Sequence, residues 1–209
     1  MTHNAHGCCG VSRFTRLCDY LITLGRFLDA NPSETLTLLI EHTDGLSVQD
    51  VAGVFQSTGL DSRTYVKPAC AAWPTLSQLG GRILAFSQDG SFGGVIQRLW
   101  SQGFDNPYSY DIVEGYALPR TCEVGRGTQS GLFLINHFIT PPSSGITGSY
   151  SNGDRLLDQV DACEAAEYKT PNFIALDYYE QGSFDGGSFA NYVASINARP
   201  HFGRAWDQG

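Results

Sequence analysis

The stretch MTHNAHGCCG sets two histidines, an asparagine and two adjacent cysteines within ten residues. Histidine is the side chain that gives up its proton near neutral pH, so His3 and His6 are candidates for acid–base work. Further along, polar residues follow directly on short apolar runs. Glu41 follows TLTLLI, Ser87 and Gln88 follow RILAF, Asn136 and His137 follow LFLI, and Asp177 follows FIAL. A carboxylate at the end of a buried apolar run is costly unless paired, which marks Asp177 for a functional or hydrogen-bonded role. Arg126, in VGRG, carries a planar fork suited to holding phosphate bidentately, although glycine on both sides favours a flexible loop. A pair of acids such as Glu41 and Asp177 would suit sugar hydrolysis if their carboxyls lay roughly 5 to 10 Å apart.

These residues need elements to place them. Between Phe14 and Asn31, the apolar residues Leu17, Tyr20, Leu21, Leu24, Phe27 and Leu28 recur at spacings of three and four, which predicts an amphipathic helix. It stops at Asn31-Pro32, because proline disfavours helical backbone in the residue before it. TLTLLI (35–40) predicts a buried strand. Ser47 and Asp50 form a capping box with Asp in place of Glu, opening a helix that ends at Gly59. Strands are predicted at 82–86, 132–135 and 173–176, and helices at 154–168 and 187–197.

Near-continuous apolar strands separated by helices indicate a parallel sheet buried on both faces, hence an α/β fold. A (β/α)8 barrel of the TIM type would gather Glu41, Ser87, Gln88, Asn136, His137 and Asp177 on its C-terminal rim, where such barrels carry their sites. A doubly wound open sheet is the alternative, without a GxGxxG or GxxxxGK[ST] motif to make it a nucleotide binder.

The composition, 42% hydrophobic and 16% charged, is that of a globular chain. With 13 basic against 21 acidic side chains, its net charge of −8 disfavours nucleic acid and anionic membrane surfaces as nonspecific partners. Aromatic-rich loops leave peripheral membrane contact open, and the expected state is a monomer. No apolar run reaches the roughly 20 residues that a membrane span needs, and no secretion signal is legible. Six cysteines without a CxxC pair point to disulfides in an oxidising compartment. Cys122 and Cys163, each flanking a strand near the end of the chain, are the best candidate pair; the connectivity stays open.

Three stretches carry a resemblance. AHGCCG with the helix after it and FLDANPSETLTLLIE, then YVKPACAAWPTLSQLGGRILAFSQ, then CEVGRGTQSGLFLINHF with PNFIALDYYEQG, are similar to segments of phosphatidylinositol-specific phospholipase C X domains and PLC-like phosphodiesterases. The likeness spans nearly the whole chain and implies one domain over 1–209. It implies hydrolysis of a phosphodiester in a phospholipid or related substrate, by an extracellular parent protein. His6, in the HG motif, would be the general acid and Asp177 would orient a partner histidine. THN also resembles the family's first histidine motif, which leaves His3 as the other candidate acid. Glu41, Gln88, His137 and Tyr179 would contact substrate. Glu41 stands where metal-dependent members place a calcium ligand, so Ca²⁺ is implied only for a full-length parent. The family's first histidine, and its arginine or metal-binding acids, precede the HG motif. The chain is therefore expected to lack roughly the first two of eight strands and to be nearly inactive alone. The alternative is a catalytically dead barrel serving as a secreted binding module.

Overall fold

The structure, a computed structural model, describes residues 15–41, 47–108, 122–139, 152–182 and 187–199. The chain divides into two compact units, residues 1–99 and 100–209.

In the first unit, α1 (Thr15–Ala30) precedes β1 (Leu36–Ile40), α2 (Val48–Thr58), β2 (Ile83–Ser87) and β3 (Gln97–Arg98). All three strands are parallel in the order β1-β2-β3, and β1 pairs with β2 along its whole length, from Leu36↔Ile83 to Ile40↔Ser87. The predicted capping box starts α2. Asp50 N donates to Ser47 Oγ at 3.1 Å, and Ser47 N donates back to Asp50 Oδ2 at 2.9 Å. Side chains alternate across a strand, and here the alternation separates two faces. Leu36, Leu38, Ile40, Ile83 and Ala85 pack with Cys18 and Leu21 of α1 and Val51 and Phe55 of α2. Phe86 takes the opposite face, where its ring meets Trp73 edge-on at 6.0 Å.

The second unit holds β4 (Gly103–Asp105), β5 (Arg126–Gly127), β6 (Leu132–His137), α3 (Asp154–Glu167), β7 (Phe173–Leu176) and α4 (Phe189–Ala198). Its sheet runs β5-β4-β6-β7, parallel except for β5, which lies antiparallel along β4. Phe104, Phe133 and Ile135 face Leu156, Val160 and Cys163 of α3 and Tyr192 and Ile196 of α4. Phe104 and Phe133, directly opposite in register, stack at 4.6 Å. The expected Cys122–Cys163 disulfide is present and joins the entry to β5 to the buried face of α3. Cys18 is disulfide-bonded as well, whereas Cys70 is a free, exposed thiol.

The α/β class and the parallel strands agree with the expectation from sequence. The closed barrel does not appear: among the described residues the strands form two sheets, of three and four members. One physical reason lies in β5. It takes the edge of β4 that a continuous parallel ring would offer to another strand. Arg126 is thus in a strand and not in the flexible loop expected for VGRG. Gly127 is required there, because it adopts φ +84° and an added Cβ would come within 2.1 Å of the Gly103 carbonyl oxygen.

Candidate functional site

Counting alternate residues from the helix-facing positions shows where each strand end points. In the first unit Glu41 and Gln88 continue the parity of Leu39 and Phe86, the face turned away from α1 and α2. They meet there: Gln88 Nε2 donates to Glu41 Oε1. The Gln88 backbone N–H also donates to Ile40 O at 3.4 Å, extending the β1–β2 ladder by one step. Ser87 belongs to the helix-facing side, fully buried, and its Oγ accepts from Asp89 N at 3.2 Å.

In the second unit the same count puts Asp105, Asn136 and Asp177 on the face away from the helices. Asp105 ends β4 and is fully buried. Its carboxylate accepts from Arg126 N at 2.8 Å, Arg126 Nε at 3.0 Å, Arg126 Nη2 at 2.5 Å and Asn136 Nδ2 at 2.8 Å. Asn136 and Asn106 are further cross-linked. Asn136 N donates to Asn106 Oδ1 at 2.7 Å, and Asn106 Nδ2 donates to Asn136 O at 3.2 Å. The Arg126 guanidinium lies 4.3 Å from the ring centres of both Trp100 and Tyr108. Charge-assisted hydrogen bonds with two aromatic faces make this a strongly determined cation.

His137 lies elsewhere than a rim contact would. It is 1% exposed and falls on the helix side with Phe133 and Ile135, where its Nδ1–H donates to Gln159 Oε1 of α3. Asp177 is half-buried beyond β7. Its carbonyl and those of Tyr178 and Gln181 accept from Asn152 Nδ2 at 3.1, 3.1 and 3.0 Å. Tyr179 is 60% exposed and borders a cavity of about 280 Å³ shared with Gly182, Ser188 and Phe189. Ser188 caps α4 there by accepting from Asn191 N at 3.3 Å. His6 and His3 lie outside the described residues.

The structure thus brings Glu41 to Gln88, and it sets Asp177 and Tyr179 on one turn. Asp105, Asn106 and Asn152 are the polar residues that the sequence reading passed over. The one signal for Asp105 and Asn106 was an acid and an amide ahead of a proline in FDNP, at the end of a strand too short to register as a pattern; Asn152 had none. A calcium ion takes six to eight oxygen ligands. Among the described residues no group of three or more His, Cys, Asp or Glu side chains is placed to hold a metal, and the Glu41 carboxylate accepts from Gln88.

Two mainly parallel sheets with helices packed on them define an α/β protein. The chain belongs to the PI-PLC X domain family, whose model (PI-PLC X 1) matches residues 2–188. A PI-PLC X domain-containing protein 1 of the fungus Arthroderma benhamiae is 26% identical over 199 residues, covering 85% of this chain and 65% of that protein. An uncharacterized secreted protein of the same fungus is 24% identical, covering 92% of this chain and 49% of its own length. A PI-PLC X domain-containing protein of Arabidopsis thaliana is also 24% identical, with 94% and 48% covered. The chain therefore spans between about half and two thirds of these curated relatives. No solved structure matches it. Among the described residues no helix is long and apolar enough to cross a membrane.

Proposed function

We propose that residues 1–209 belong to one phosphodiesterase domain of the phosphatidylinositol-specific phospholipase C type, with partial (β/α)8-type architecture. It acts outside the cell, as a monomer, on the phosphodiester of a phospholipid or related headgroup. The observation that carries this reading is the PI-PLC X match over residues 2–188, taken with polar strand ends on the helix-free face. In the reaction, the hydroxyl beside the phosphodiester loses its proton to a base, and its oxygen attacks phosphorus. The bond from phosphorus to the leaving alcohol breaks, and His6 supplies that alcohol's proton. Asp177 orients the histidine that serves as base and stabilises its positive charge, as an aspartate supports imidazole in hydrolase triads. Glu41, Gln88 and Tyr179 contact the headgroup, and His137 steadies the end of β6 from the helix side through Gln159.

The second reading, a catalytically inactive binding module, is supported by Arg126. Its guanidinium is committed to Asp105 and two rings, an arrangement suited to holding structure. One experiment separates the two. The chain, and a form extended upstream to the family's first histidine motif, are incubated with phosphatidylinositol vesicles, with calcium and with chelator, and both soluble headgroup phosphate and vesicle co-sedimentation are measured. Release that falls at least about 100-fold in Asp177→Asn and in His6→Ala supports the enzyme. Co-sedimentation without release in both forms supports the module, and neither release nor binding in the extended form overturns both.

A further inference from the structure

Asn152 immediately precedes Gly153, the N-cap of α3, yet its side chain reaches the turn that follows β7. It is 4% exposed, and its one amide group faces the carbonyls of Asp177, Tyr178 and Gln181. Two of those carbonyls bracket Tyr178. That residue has φ +50°, a left-handed conformation that an aromatic side chain adopts only when its surroundings compel it. The turn is tightened by Gln181 N, which donates to Tyr178 O at 2.8 Å. Opposite Asn152 stands Gly182, at φ +112°, where an added Cβ would come within 2.6 Å of Asn152 Cβ. Amide, strained tyrosine and glycine therefore interlock, and they do so on the residues that follow β7.

We propose that Asn152 is a positioning residue for Asp177: its amide holds the 177–182 turn in a strained form, and that form fixes where the Asp177 carboxyl and the Tyr179 ring stand. Hydrogen bonds from a buried amide to carbonyls on both sides of Tyr178 offset the cost of its backbone angle. Removing the amide lets Tyr178 relax toward negative φ, which rotates the peptide that carries Asp177. The functional weight of this lock rests on the reading of Asp177 given above; the lock itself does not.

The test uses the whole chain. The Asp177 carboxyl carbon is followed by carbon-detected NMR at one fixed pH, and exchange of the Gln181 amide is followed in parallel. In Asn152→Ala the Asp177 carboxyl signal should move to a new position, and Gln181 exchange should quicken by about tenfold or more. The Phe104 and Phe133 ring signals should stay in place. Adding Tyr178→Gly to that variant should restore both readings, because glycine takes φ +50° without steric cost. A merely structural asparagine would give a uniform loss of order that Tyr178→Gly leaves uncorrected. Should Asn152→Ala fail to fold, Gly182→Ala keeps the amide and wedges a methyl group against it, and should move the same two signals. An unchanged Asp177 carboxyl signal in either variant overturns the proposal, as does loss spread evenly over residues 100–199. Failure of the functional reading looks different: the lock is then released as described while Asp177→Asn leaves headgroup release untouched.

Discussion

The Asp105 carboxylate is fully buried and held by three donors of Arg126 and one of Asn136, so its charge is balanced inside the unit. Breaking a buried pair from one side leaves the other charge without compensation, at a cost of about 3 to 5 kcal/mol. Arg126→Ala should therefore destabilise the chain strongly, and the shift should show in urea unfolding. The paired change Asp105→Leu with Arg126→Met should cost less than the single one, because it removes both charges and keeps apolar volume. Equal losses from the single and paired variants would show that packing against Trp100 and Tyr108, and not charge, is what Arg126 supplies. The same scale explains what sequence could say about candidate residues. Asp177 and Glu41 were legible because an acid after an apolar run is conspicuous. The facing of His137 was not. A strand buried on both sides lacks the polar–apolar alternation that would tell Asn136 from His137. Only the packing of Phe133 and Ile135 against α3 and α4 assigns the two residues to opposite faces.

At the level of elements, the long patterns were readable and the short ones were not. The spacing from Leu17 to Leu28 and the Ser47–Asp50 box fall on α1 and α2 as observed, because period and capping chemistry are local. β3, β4 and β5 span two or three residues each, below the length at which any period shows, and they exist only because neighbouring strands supply their partners. The edge strands β1 and β7, one from each sheet, share a further trait. Every residue of β2 is buried, whereas β1 and β7, equally apolar in sequence, are only partly buried. A cavity of about 240 Å³ runs from Leu17 and Leu21 of α1 along Thr37–Ile40 of β1. Apolar outer strands are weak points of a sheet, so covalent bracing elsewhere matters. Cys122–Cys163 closes a stretch of 41 residues, for which loop entropy gives about 4 kcal/mol. Reducing agent should lower the denaturant midpoint of the chain. Cys122→Ala/Cys163→Ala should lower it too, though by less than full reduction, which also opens the disulfide of Cys18; a midpoint unchanged in the double variant would show that the apolar packing of α3 suffices.

For the molecule as a whole, the response to alkali follows from one packed ring. Tyr192 is 4% exposed among the α3, α4 and β6 residues of the second core. Its phenol is pushed well above the ordinary value of 10.0, first by burial and then by the charge of Asp161, with Glu164 adding and Arg199 opposing. A tyrosine raised in this way is protonated in both folded and unfolded chains below pH 10, so its contribution to stability is constant there. Above pH 10 the unfolded chain gives up that proton while the folded one retains it, and unfolding is favoured as pH climbs. Lys169 works in the other sense. Burial lowers its pKa from 10.5, so its contribution improves as pH rises toward that value, equally with or without the tyrosine hydroxyl. A comparison of the chain with Tyr192→Phe therefore isolates the phenol. Midpoints of urea unfolding measured from pH 7 to 11 should run parallel up to about pH 10, the ordinary tyrosine value. Beyond it the native chain should fall more steeply, by one proton's worth of slope. Parallel curves throughout would mean that Tyr192 ionises as readily folded as unfolded, and that the α3–α4 core opens to solvent before the sheet does.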